Sequence, residues 1–341
     1  MTPAKNKDTA IHALNATDSV TALPRPVLIT GASSGIGLEL ARIYARAGKP
    51  LVLVARNKAR LAGAAAELSS LNPLYAKKPE FISTLSLDVA DAKSVNAKLA
   101  ECVQTCGVPQ LVINAAGVVN VGRFLEMEPS YFDDNLRIDF DGTVNVCRAL
   151  APDLVAAGSG HMVNIASVAG FLGIYGYTGY SAAKFAVMGF SEALRFEMKP
   201  LGVDVSVVCP PDTLTPGFET EKAHRPAETE AIAGNVPALK PELVAQKIAK
   251  EIERKRFYII IGASSKFYFR LKGLLPEIFL ALVDSDVRKV GKKRAELSSA
   301  PKQGSLQTVS LRDILTPSAY LPEQRVNRGG IPPTSFALRS Q

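Results

Sequence analysis

The chain predicts an α/β fold: one Rossmann-type, doubly wound parallel sheet with helices on both faces. Three observations carry this. Short apolar, β-branched runs alternate with helix-length segments from about residue 26 to residue 262. Most of those runs are apolar along their length, as strands covered on both faces are. A glycine-rich turn, Thr30-Gly31-Ala32-Ser33-Ser34-Gly35-Ile36-Gly37, follows directly on the first run, where this architecture holds a dinucleotide.

The elements follow in order. Pro26 to Thr30 is an apolar run ending at glycine, a buried strand. Residues 36–47 read as a helix stopped by Gly48 and Pro50. Leu51 to Val54 is the next strand and Lys58 to Leu68 the next helix; Phe81 to Leu87 and Leu111 to Ile113 are strands separated by a helix near 92–105. A long helix after Pro129 covers about 130–156. His161 to Ile165 is a strand, 178–199 a long helix, Val203 to Val208 a strand, 241–255 a helix and Phe257 to Ile261 the last strand.

The 341 residues thus divide into an N-terminal tail (1–24) expected to be disordered, one domain over 25–265, a helical segment over 266–290, and a basic tail over 291–341, also expected to be disordered. Residues 1–24 lack the apolar stretch of a signal peptide, and no apolar run approaches the ~18 residues of a spanning helix. The net charge is +8, but 285–341 hold ten Lys/Arg and four Asp/Glu, so the domain itself is near neutral. No aromatic-plus-basic module accompanies the basic tail, so no nucleic-acid partner is expected. Cys102, Cys106, Cys147 and Cys209 lack metal spacing and read as reduced, buried thiols of a reducing, cytoplasmic compartment; with three scattered histidines (His12, His161, His224) no metal site is expected. Lys266-Phe267-Tyr268-Phe269-Arg270-Leu271-Lys272 precedes an apolar stretch, Leu274 to Val283, that is too short to span. Aromatics between cations suit a peripheral membrane interface, and the same segment could pack on protein.

The chemistry-bearing residues begin with Tyr180 and Lys184, i and i+4 on one helix face, with Ser167 upstream. An ammonium near a phenol favours the phenolate and lowers its pKa, suiting Tyr180 to exchange a proton with a substrate oxygen that Ser167 can hold. Of Tyr175, Tyr177 and Tyr180, only Tyr180 has a lysine four residues on. The turn glycines Gly31, Gly35 and Gly37 let backbone N–H groups approach a pyrophosphate at a helix N-terminus. The second strand ends Val54-Ala55-Arg56-Asn57. An acid that would hold a ribose 2′-hydroxyl is absent there and Arg56 is present, which favours NADPH over NADH. Ser33, Ser34 and Lys58 are further phosphate candidates.

Taken together, Thr30 to Gly37, Asn114-Ala115-Ala116-Gly117, Ser167, Tyr180 and Lys184 resemble the short-chain dehydrogenase/reductase family over about residues 26–262. Leu53 to Asn57, Gly176 to Ala186 and Pro210-Pro211-Asp212-Thr213-Leu214-Thr215-Pro216-Gly217-Phe218 resemble its branch acting on long-chain sphingoid ketones, where Pro211 replaces the usual glycine. The resemblance implies NADPH-dependent reduction of the 3-keto group of such a ketone, with another lipid or steroid-like ketone, or a catalytically impaired nucleotide-binding protein, as the other readings. It implies that Gly31, Gly35, Ile36 and Gly37 contact the cofactor's pyrophosphate and ribose side, Asp88 and Val89 its adenine, and Asn114 and Gly117 its border. Lys184 would hold the nicotinamide ribose beside Tyr180, and Pro210 and Thr213 or Thr215 would lie near the carboxamide. It also implies a homodimer or homotetramer through the two long helices. Where the family carries an Asn in a proton relay, this chain has Asp139, expected to join the relay while its charge opposes phenolate formation. Gly170 to Tyr177 and Phe218 to Pro237 are expected to shape the substrate pocket.

Overall fold

The structure, a computed structural model, describes residues 24–233 and 237–299. Seven strands, β1 (Val27–Thr30), β2 (Leu51–Ala55), β3 (Ile82–Ser86), β4 (Leu111–Asn114), β5 (Gly160–Ile165), β6 (Val203–Cys209) and β7 (Tyr258–Ile260), form one parallel sheet in the order β3-β2-β1-β4-β5-β6-β7. The order reverses between β1 and β4, which opens a crevice at the carboxyl ends of those strands. Thr30, Asn114 and Asn164 pair across β1, β4 and β5, so the ends of three central strands lie level at that crevice.

Alternate residues of each strand feed opposite faces. On one face Val27, Ile29, Leu51, Leu53 and Ile113 pack with Leu40 and Ala41 of α1 (Gly35–Arg46) and with Val244 and Ile248 of a helix near the chain's last strand. On the other, Leu28, Val52, Val54, Val112 and Met162 meet Val95 and Leu99, and Val146, Leu150 and Leu154, from two further helices. Leu28, Leu99, Leu150 and Leu154 are essentially inaccessible, and each is worth ~1.5–3 kcal/mol in burial. Two-sided burial explains why β1, β2 and β4 carry apolar residues in succession rather than a polar alternation.

The remaining helices are α2 (Lys58–Ser69), α3 (Leu74–Lys77), α4 (Ala92–Cys106), α5 (Pro129–Asp134), α6 (Gly142–Ala156), α7 (Thr178–Met198), α8 (Pro216–His224), α9 (Ala227–Ala233), α10 (Pro241–Glu253), α11 (Ala263–Leu274) and α12 (Pro276–Ser299). The helix expected over 130–156 runs without interruption from Pro129 to Ala156, with one break in its α-helical pattern: a π-helical stretch, Asn135–Asp141, lies between α5 and α6. Tertiary contacts account for the break. Asp139 turns inward to accept a hydrogen bond from the Val118 amide (2.7 Å), and Gly142 lies so close to Val89 that a Cβ would come within 2.5 Å of its Cγ2. The segment expected to form a substrate loop after Phe218 is mostly helical, as α8 and α9.

The helical segment expected over 266–290 begins earlier, at Ala263, and α12 runs on to Ser299, so 291–299 are helical rather than disordered. The physical reason is composition: Lys, Arg, Ala, Glu and Leu dominate 292–297 and favour helix, and Lys289 pairs with Asp286 one turn back (3.0 Å). The expected disorder of 1–23 and 300–341 lies outside the described residues. Cys102, Cys147 and Cys209 are buried free thiols and Cys106 is half-buried. Among the described residues no helix is long and apolar enough to cross a membrane.

Candidate active site

The glycine turn leaves β1 and enters α1 at the crevice. Gly31 has φ +68°, and a Cβ there would lie 2.6 Å from the Ala115 carbonyl oxygen; a Cβ on Gly37 would lie 2.5 Å from the Gly31 oxygen. Only bare backbone fits this crossing. Thr30 fastens the turn to the end of β4: its Oγ1 accepts hydrogen bonds from the Ala115 and Ala116 amides, both 3.1 Å. Ser34 sits at the N-cap of α1 in extended backbone, yet its side chain caps nothing and no acid stands in the first turn. The first-turn N–H groups and the positive end of the helix dipole are left for an anion. A dinucleotide pyrophosphate fits that cradle, with half-buried Ser33, Ser34, Gly35 and Ile36 around it.

The other predicted cofactor residues fall along the same strand ends. Arg56 is exposed immediately after β2, with Lys58 opening α2 beside it. Asp88 follows β3 and accepts the Ala90 amide (3.0 Å), while Val89 is buried under Gly142. Thr215 caps α8 by accepting the Phe218 amide (3.2 Å), and its methyl lies against the glycine turn, 3.3 Å from where a Gly35 Cβ would be. Thr213 is buried and donates to the Pro211 carbonyl (2.7 Å), and the Pro210 carbonyl accepts the Val168 amide (3.1 Å) next to Ser167. Asn114 stands at the end of β4, but its side chain turns into the core. It donates to Asn164 Oδ1 (2.9 Å) and Cys147 Sγ (3.3 Å), and Asn164 donates to Ser191 Oγ (2.9 Å). Its side chain braces the strand ends from within.

At the centre, Lys184 is buried. Its Nζ donates to the Ile165 carbonyl (3.1 Å), lies 3.5 Å from Asp139 Oδ2, and stands over the Tyr180 ring, 5.5 Å from the centroid. Gly117 packs on this pair: a Cβ there would come 2.8 Å from Asp139 Oδ1 and 3.5 Å from Lys184 Nζ. Asp139 is fully buried, and Oδ2 has no hydrogen-bond partner among the described residues. Burial pushes its carboxyl up to about 6, against the pull of Lys184 and the Val118 amide. Ser167 is half-buried at the end of β5 and accepts the Ala169 amide (3.1 Å), and it lies near enough to the Tyr180 hydroxyl to favour its ionised form.

The proximity of Lys184 does not lower the Tyr180 phenol. It lies well above its ordinary value, first through burial and then through the negative charge of Asp139, with Ser167 working the other way. The reason is geometric. The ammonium faces the ring and is occupied by Asp139 and the Ile165 carbonyl rather than by the hydroxyl. Such a tyrosine stays protonated, the form that donates a proton.

A second group of charges lies on the substrate side and escaped sequence reasoning. The Tyr177 hydroxyl donates to Glu221 Oε1, and the Tyr177 ring packs edge-on to Tyr180, 6.0 Å between centroids. Arg225 Nε donates to the same Glu221 oxygen (2.8 Å) and its Nη2 to Asp212 Oδ2 (2.7 Å), with the guanidinium over the Phe218 ring (4.9 Å). Burial raises the Glu221 carboxyl. Farther out, Arg123 pairs with the buried Glu228 (3.0 Å), and Thr229 donates to the Tyr175 carbonyl (2.6 Å). These contacts bind α8 and α9 to the loop before α7, through Tyr175 and Tyr177, and α9 to the segment between β4 and α5, through Arg123. The i,i+4 spacing of Glu221 and Arg225 was the one signal legible in advance.

The arrangement is thus a backbone anion cradle beside a buried, protonated tyrosine with a serine at its hydroxyl. Comparison with known proteins agrees. Residues 25–226 match the family profile described as short chain dehydrogenase. The chain is 36% identical over 240 residues to a 3-ketodihydrosphingosine reductase of Bos taurus (70% of this chain, 71% of that protein). It is 30% identical over 310 residues to one of Dictyostelium discoideum (80% and 90%). A short-chain dehydrogenase from Sphingobium yanoikuyae in complex with NADPH superposes with a TM-score of 0.61 at 25% identity, covering 84% of this chain and all of that one. The chain belongs to the short-chain dehydrogenase family, nicotinamide-dependent oxidoreductases that interconvert ketones and alcohols.

Proposed function

We propose that this enzyme reduces the 3-keto group of 3-ketodihydrosphingosine to the alcohol with NADPH. The observation that carries the reading is the protonated Tyr180 with Ser167 at its hydroxyl, level with the glycine cradle. The kinship with reductases named for that ketone, which cover most of this chain, supplies the substrate. The bound nicotinamide supplies the hydride. Ser167 holds the ketone oxygen. Tyr180 gives its proton to that oxygen as charge develops on it. Lys184, with Asp139 behind it, holds the nicotinamide ribose and returns a proton toward Tyr180. Arg56, with no acid beside it at the end of β2, favours the 2′-phosphate of NADPH.

A lipid substrate also gives α11 and α12 a purpose. Phe269 anchors α11 on the domain through Phe171 (ring centroids 5.0 Å), and Phe279 of α12 is buried against Tyr268. Phe267, Leu274, Ile278, Leu280 and Leu282 are all at least half exposed, among Lys266, Arg270 and Arg288. We read this face as a peripheral contact with the cytoplasmic surface of an anionic membrane. Exposed Phe185 and Phe196 on α7 suit the homo-oligomer expected through that helix.

A substrate panel tests the function: kcat/KM for 3-ketodihydrosphingosine should exceed that for steroid ketones by orders of magnitude, and the reverse ranking would reject the sphingoid reading. Flotation with phosphatidylserine vesicles should fall when Phe267, Leu274 and Ile278 are changed to Ser; unchanged flotation would reject the membrane contact.

A further inference from the structure

The group formed by Asp212, Glu221, Arg225 and Tyr177 has an unequal exposure that points to a ligand. The Arg225 and Glu221 side chains are 4% and 8% exposed, whereas Asp212 is 37% exposed. Two carboxylates share the buried guanidinium, with Glu230 only at its margin (3.8 Å). The group therefore carries more negative than positive charge. Glu221 spends the oxygen that meets Arg225 on Tyr177 as well. Asp212 gives only Oδ2 to Arg225, and its Oδ1 has no partner among the described residues.

The position of Asp212 is fixed from three sides. Pro210, two residues before it, ties to Val168 next to Ser167; the Asp212 carbonyl accepts the Leu239 amide (2.9 Å); and Arg225 holds the side chain. Its charge is felt at the Tyr180 phenol, as is that of Glu221. The Tyr177 ring lies between the Arg225 guanidinium (5.8 Å) and the Tyr180 ring (6.0 Å between centroids), and Pro210 is tied beside Ser167, so the Asp212–Arg225 pair borders the reacting end of the site. A plain ketone gives such a group nothing to bind, and covering its open oxygen with an uncharged substrate would cost its hydration. A sphingoid ketone differs from other long-chain ketones in carrying an amine on the carbon next to the carbonyl, which is cationic when protonated.

We propose that Asp212, oriented by Arg225, receives the substrate ammonium adjacent to the ketone and so selects α-amino ketones over otherwise identical ketones. The inference rests on the sphingoid reading above. Arg225 is a positioning residue: it pins one carboxylate oxygen, leaves the other without a partner among the described residues, and leaves the net charge of the group negative. Pairing the ammonium with Asp212 also relieves the charge that opposes negative charge at the Tyr180 oxygen, where proton transfer begins.

The test compares 3-ketodihydrosphingosine with its analogue bearing hydrogen in place of the amine, in the wild-type enzyme, Asp212→Asn and Asp212→Glu. The wild type should prefer the amino ketone. In Asp212→Asn the ratio of the two kcat/KM values should fall at least ten-fold, mainly through KM, and Asp212→Glu should recover part of it. The ratio is internal to each variant, so a general loss of folded enzyme cancels. A wild type without preference, or a ratio unchanged in Asp212→Asn, overturns the assignment even if both rates drop. A wild type that reduces neither ketone with NADPH rejects the sphingoid reading instead.

Discussion

Replacing Asp139 by Asn removes a buried negative charge and keeps the shape, and its effect on stability should depend on pH in a defined direction. The carboxyl is raised from 3.8 to about 6 in the folded protein, chiefly by burial. A raised carboxyl binds its proton more tightly in the folded state than in the unfolded one. The folded state therefore suffers no charging cost below pH 3.8, and the cost grows until the pH passes about 6. At 1.36 kcal/mol per unit the full cost is about 3 kcal/mol; roughly half of it is present at pH 5 and nearly all at pH 8. Asp139→Asn is free of it at every pH. The stability of the variant minus that of the wild type, from urea unfolding, should thus rise by about 1–2 kcal/mol between pH 5 and pH 8. The constant part of losing the Lys184 partner drops out of this difference. A difference that stays flat, or falls, across that interval would refute the account of Asp139 as an ionised, buried group. The same substitution should keep or raise reductase activity. It should also move the alkaline limb of the pH–rate profile to lower pH, because the charge holding the Tyr180 phenol up is gone.

Other substitutions separate the roles at the site. Tyr180→Phe should lower turnover ~10²–10⁴-fold while NADPH still binds by fluorescence titration; near-normal turnover would remove Tyr180 as proton donor. Arg56→Ala should weaken NADPH about ten-fold by isothermal titration and leave NADH nearly unchanged, since only the former has the 2′-phosphate. Gly37→Ala would place a Cβ 2.5 Å from the Gly31 oxygen. It should cost ~1–3 kcal/mol in stability and abolish the thermal shift that NADPH gives the wild type.

Features set by local pattern could be read from the sequence, and features set by distant partners could not. Apolar strands such as Leu51–Ala55, and the glycine turn after Thr30, announce themselves because burial on two faces and close backbone crossing each demand particular residues over a few positions. The parallel sheet followed from these. The helix over 130–156 was legible but its π-helical stretch at Asp139 was not, because that stretch depends on Val118 and Val89, distant in sequence. The inward turn of Asn114 was hidden for the same reason, its partners Cys147 and Asn164 lying on later elements. The spacing of Tyr180 and Lys184 correctly put both on one helix turn but not which atoms would meet: the ammonium went to Asp139 and the Ile165 carbonyl. The opposing influence of Asp139 on the phenol was legible from its charge alone. Arg225 was missed because two of its partners, Asp212 and the Tyr177 ring, lie outside its own helix.

The most direct test of the central claim is mass spectrometry of 3-ketodihydrosphingosine after incubation with the enzyme and NADPH deuterated at the hydride position. The expected product is heavier than the ketone by one deuterium and one hydrogen, and it forms ~10²–10⁴-fold more slowly with Tyr180→Phe. Unchanged ketone with the wild-type enzyme, or equally fast labelling with Tyr180→Phe, would contradict that claim.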